Sequence, residues 1–138
     1  MTPASIQSQV LLDGARNFVI RLSAVQDGSG IQLTNVKIVD VTLMKPPAGP
    51  HLKIEHIGFR VFGGIVQLGW ESLDPVNPVP FSELQLADSL DWRRFGGQST
   101  LNVPNATGNI LLSTLGFDVG SSFDLTLECI KGVGTQFG

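Results

Sequence analysis

Side chains that carry chemistry are scarce in this chain. Its 138 residues include no tyrosine, one cysteine, two histidines and two tryptophans. Charged residues make up 15%, against about 25% in ordinary domains. The lone Cys129 excludes an intramolecular disulfide; set in a dense apolar strand pattern, it is expected as a small buried hydrophobe rather than a reactive thiol. Nine basic and twelve acidic residues give a net charge of −3. The two signs are scattered, so no basic block exists to neutralise a row of phosphates, and nucleic acid is not an expected partner.

Longer signals are missing too. No apolar run reaches the length of a membrane span. Met1-Thr2-Pro3-Ala4-Ser5 has neither the positive region nor the hydrophobic core of a secretion signal. The expectation is a chain made in a cytoplasm, with no membrane partner. A metal site on a β scaffold needs several convergent ligands, and here only His51 and His56 stand near Glu55. Five residues apart on one strand, the two imidazoles point to opposite faces. No metal and no cofactor are expected. There is no G-x-S-x-G elbow, and Gly28/Gly30 and Gly63/Gly64 precede no helix that could cradle phosphate. Asp88 and Asp91 could pair as acid and base, but a solvated turn flanked by carboxylates explains them as well. No catalytic residue is expected, and no enzyme.

What the chain does have is glycine and aliphatic residues. Glycine supplies 16 of 138 positions and hydrophobic residues 42%, with a mean hydropathy of +0.21. That balance excludes a disordered tail and a charge-rich helical bundle, and fits a turn-rich β domain of single-domain size. Phe18, Ile20, Leu22 and Ala24 alternate with polar neighbours, the period of a half-buried strand. Phe123, Leu125, Leu127 and Cys129 repeat the pattern at the other end. Between residues 36 and 44 the apolar parity switches, which predicts a β-bulge or a strand buried on both faces. Residues 52–62 switch parity as well. Gly63-Gly64 is expected to turn a hairpin back into a strand over 65–71. Residues 81–95 are read as a strand, a turn at Ala87-Asp88-Ser89 and a second strand. Short strands then follow at 99–103 and 109–114.

Eight to ten strands at this spacing predict an all-β fold, an antiparallel β-sandwich of jelly-roll type. Residues 1–9 are read as an extended N-terminal arm or edge strand, 10–131 as the single sandwich domain, and 132–138 as a glycine-rich, mobile tail. Too few charges remain to cover such a domain, so part of its apolar surface is expected to face partners, most economically copies of itself in a ring. Trp92, Arg93 and Arg94 are the candidate contacts, being residue types enriched at the centres of interfaces. The alternative is that both tryptophans are core and both arginines solvated. A sugar stacked on tryptophan is a third possibility.

The order of these segments resembles small structural proteins of tailed bacteriophages. It runs from Phe18-Val19-Ile20-Arg21-Leu22-Ser23 through Val66-Gln67-Leu68-Gly69-Trp70 and Phe95-Gly96-Gly97. It then continues to Thr107-Gly108-Asn109-Ile110-Leu111-Leu112-Ser113-Thr114 and Phe123 to Lys131. Capsid decoration, or cement, proteins fit a single β domain of this size best. The resemblance implies a homotrimer on the capsid exterior of the virion that binds the major capsid protein, with each trimer gaining affinity by engaging several subunits. The arm, with Gln7 and Gln9, would add a strand to a neighbour's sheet. A tail, baseplate or connector component, and a jelly-roll carbohydrate-binding module, are the alternatives.

Overall fold

Alternation of apolar and polar side chains builds strands here, and the computed structural model describes residues 6–25, 32–44, 52–72, 79–91, 98–99, 106–118 and 120–131. The strands are β1 (Gln7–Asp13), β2 (Asn17–Val25), β3 (Val36–Val39), β4 (Leu52–Ser72), β5 (Val79–Asp91), β6 (Gln98–Ser99), β7 (Ala106–Leu115) and β8 (Ser122–Lys131), with one 3-10 turn at Val41–Leu43. All pairings are antiparallel, in the order β1-β2-β8-β4-β7-β3, and β5 and β6 also pair with β4. The expected all-β antiparallel sandwich is what the chain forms.

The 21 residues of β4 organise it. Along one edge β4 holds β5, from His56↔Asp91 to Trp70↔Val79. Its other edge is shared: β8 takes Leu52 to Phe62, and β7 takes Ile65 to Ser72. Beyond Phe62 the sheet therefore divides into two layers that curl over one core. Leu22, Ile54, Ile57, Leu125 and Leu127 enter that core from the β2-β8-β4 side. Val66, Leu68, Trp70, Ile110 and Leu112 enter it from the β4-β7 side. Each fully buried aliphatic side chain contributes about 2 kcal/mol. Trp70 is only 1% exposed and stacks on Phe81 with ring centroids 4.7 Å apart. It belongs to the core.

The parity switches have local causes. In β4 the register against β8 shifts between Ile54 and His56. That bulge turns the buried set from Leu52/Ile54 to Ile57/Val61. The switch after Val36 is a bulge between Lys37 and Val39, followed by the 3-10 turn. Asp40 caps that turn by accepting from the Thr42 amide and hydroxyl, bonds that hold its carboxyl below the usual range.

Two expected turns are absent. Gly63-Gly64 lies inside β4, whose two halves pair with β5 rather than with each other. The glycines serve close approach instead. A Cβ on Gly64 would lie 2.3 Å from Phe117 Cδ1 and 2.9 Å from the Leu115 carbonyl. Gly63 has φ +84°, and its carbonyl accepts from Ser121 Oγ at 3.1 Å. Phe117 is the wedge where the layers part. The Gln32 side chain fixes it, donating to its carbonyl at 2.7 Å and accepting from its amide at 2.9 Å. Nor do residues 87–89 turn: β5 runs unbroken to Asp91, kinked at Leu86, where φ is +61°. The strand expected at 99–103 is described only as Gln98–Ser99, paired with Lys53 and Ile54. Gln7 and Gln9, read as part of an arm or an edge strand, lie in the edge strand β1 opposite Ser23 and Arg21 of β2.

Candidate functional site

The outer face of the β1-β2-β8-β4 layer carries several charged side chains that lie against one another. Arg21 makes a two-pronged contact with Asp124, Nε to Oδ1 at 3.1 Å and Nη2 to Oδ2 at 2.6 Å. The hydrogen bond first, then the charge, holds the Asp124 carboxyl below the usual carboxylate range. His56 Nδ1 lies 2.9 Å from Glu128 Oε2, and Lys53 Nζ lies 4.0 Å from Glu55 Oε1. Beside them Leu12, Asn17, Val19, Glu55, Glu128, Cys129 and Ile130 line a shallow cleft of about 270 Å³. Among the described residues, no three His, Cys, Asp or Glu side chains group as metal ligands. Asp88 and Asp91 stand opposite Phe59 and His56, three residues apart on one strand. They face opposite sides and do not form an acid–base pair.

The Cys129 thiol points away from chemistry. It is buried in the core, and burial, with Glu128 adding to it, pushes its pKa up to about 12. The expected outcome is a thiol that resists Ellman's reagent at pH 8 in the folded protein and reacts at once in denaturant. Comparable rates in the two states would contradict this placement.

Apart from Val25 and Leu43, the exposed large apolar side chains of the described residues fall in two places. The first is β1, an edge strand whose one ladder partner among the described residues is β2. Val10, Leu11 and Leu12 are 53%, 51% and 48% exposed. Val10 pairs with Ile20 and so lies on the core side, whereas a bulge at Leu11 puts Leu12, opposite Val19, on the cleft side. Both faces of this strand meet solvent. Its far end is latched by Lys131, whose buried Nζ lies 2.5 Å from Asp13 Oδ1 and whose amide donates to the Arg16 carbonyl at 2.7 Å.

No family model matches this chain, and no curated protein is similar to it. Solved structures are similar in overall β architecture. A cupin superfamily protein from Desulfitobacterium hafniense is 10% identical, over 96% of this chain and 83% of its own, with a TM-score of 0.37. A cupin domain from Bordetella pertussis is 13% identical, over 96% and 99%, with a TM-score of 0.38. A family 29 carbohydrate-binding module, solved in complex with mannohexaose, is 10% identical, over 94% and 82%, with a TM-score of 0.37.

The second apolar place is the bend of β4. Phe62 is 70% exposed and Leu86, opposite Val61, is 77% exposed. Leu115, opposite Ile65, is also exposed. Leu86 holds a left-handed backbone that a branched, apolar residue rarely adopts, a strain of order 1–3 kcal/mol. Trp92, Arg93 and Arg94, the contacts expected from sequence, lie outside the described residues. Gln7 and Gln9 are exposed on β1, beside the aliphatic residues that sequence reasoning missed. The signal was present as the run Val10-Leu11-Leu12, three apolar residues in succession where a one-sided strand would alternate.

Proposed function

We propose that this protein is a non-catalytic structural subunit that works by assembling with copies of itself and with a larger partner. The observation that carries this reading is the pair of apolar surfaces on β1 and at the β4 bend, left open while the cleft's acidic groups lie against basic ones. Exposed apolar surface on a small domain is costly in water and marks interaction sites. With the resemblance to phage structural proteins, the specific proposal is a decoration protein on the capsid exterior, bound to the major capsid protein. Copy number in purified particles tests it: hundreds of copies per particle are expected. A few to a few dozen would make it a tail or connector part, and none would end the virion reading.

A second reading, glycan binding, rests on the cleft, where Asn17, Glu55 and Glu128 offer hydrogen-bonding groups beside apolar Leu12 and Val19. Among the described residues no aromatic ring lines that cleft, and a stacking platform is what sugars favour. A glycan array with the purified protein distinguishes the two, and specific binding lost in an Asn17→Ala variant would favour this second reading.

A further inference from the structure

Every free sheet edge is a template for another strand, and proteins guard the edges they mean to keep free. The outer edge of β5 is guarded throughout: Pro80 lacks the N–H, Glu83 and Asp88 are exposed, and the kink at Leu86 breaks its line. β3 is four residues long, carries exposed Lys37 and runs straight into the 3-10 turn. β6 spans two residues. β1 differs from all three. From Gln7 to Leu12 it has no charge and no proline, and it is exposed on both faces. Its one carboxylate, Asp13, sits at the far end against Lys131.

From this contrast we infer that β1 is built to pair with β1 of a second copy, antiparallel about a two-fold axis at Gln9, which then faces its own copy. The inference deepens the assembly reading by assigning its self-contact. An incoming strand must itself offer unpaired backbone, and among the described edges longer than four residues only β1 offers it with neither charge nor proline from Gln7 to Leu12, the bulge at Leu11 being its one irregularity. The strand is also self-compatible. Turned on itself about Gln9, it sets uncharged Ile6–Leu12 against uncharged Ile6–Leu12, and the two Asp13 carboxylates fall at opposite ends. Seven residues at about 3.4 Å each make a contact roughly 24 Å long. Such pairing fuses two sheets into one and covers Val10 on the core side and Leu12 on the cleft side.

The test is solution mass, read by light scattering, together with cysteine cross-linking. The wild-type protein is expected at twice its 14.8 kDa chain mass. Leu11→Lys, at a position exposed in the single chain, is expected to give a folded monomer with the wild-type circular dichroism spectrum. Gln9→Cys, at the axis, is expected to form disulfide-linked dimers under mild oxidation, whereas Lys37→Cys on β3 does not. A wild-type monomer, a Leu11→Lys variant of unchanged mass, or a trimer whose β1 cysteines stay unlinked would each overturn β1 pairing. The last would leave the assembly reading standing, as the trimer that the phage resemblance implies. Failure of that reading shows separately, as absence of the protein from purified particles.

Discussion

Gly64→Ala is expected to destabilise the fold by about 3 kcal/mol and to lower Tm by roughly 10 °C. The added methyl would sit 2.3 Å from Phe117 Cδ1, 2.8 Å from Cε1 and 2.9 Å from the Leu115 carbonyl oxygen. Neither neighbour can step aside cheaply. The ring is buried in the core, and both main-chain polar groups of Phe117 are held by Gln32. The carbonyl belongs to the last residue of β7, beside the division of the layers. Urea unfolding of Gly64→Ala measures the loss. Adding Phe117→Leu should recover part of it, so that the double variant is more stable than the two single losses predict. Strict additivity would show that the ring is not what the methyl strikes.

Asp13→Ala is expected to cost about 3 kcal/mol, far more than loss of an exposed ion pair. The Lys131 side chain is 1% exposed and Asp13 is 21% exposed, so removing the carboxylate takes the opposite charge from a buried ammonium. Lys131→Met leaves a carboxylate with some access to water and should cost less. The double variant, with neither charge, should recover most of the Asp13→Ala loss. Thermal unfolding of the three variants checks this. An Asp13→Ala protein as stable as the wild type would mean that the pair does not hold β1 to the sheet.

Much of the fold was legible because burial on one face leaves a period in the sequence. β2 and β8 follow their alternation residue by residue, with Phe18, Ile20, Leu22 and Ala24 against Leu125, Leu127 and Cys129 in one core. The parity change in 52–62 proved to be a bulge near Glu55. Gly63-Gly64 misled because glycine serves two ends, a positive φ in a turn and room for a neighbour. The second depends on Phe117, on a loop far along the chain, which no local pattern reveals. β5 misled because its kink comes from Leu86, a residue with no turn propensity. The interaction surface was the hardest part to read. A strand exposed on both sides has no period, so Val10-Leu11-Leu12 carries no periodic signal that separates it from the rest of the sandwich domain, whereas Trp92, Arg93 and Arg94 stand out by residue type alone.

The pairing of β2 with β8 also sets a timetable for the chain. Arg21 and Asp124, bonded across those strands, are 103 residues apart in sequence. At ordinary synthesis rates roughly ten seconds separate their emergence from the ribosome. Through that interval the β1–β2 hairpin has no sheet to join, and two strands alone are marginally stable. Its uncharged outer edge is then as open to a neighbouring nascent chain as it is later to a finished one. Fast dilution, low temperature or chaperone supply during expression should therefore raise the soluble yield more than any change made after folding, because the hazard lies in waiting for β8.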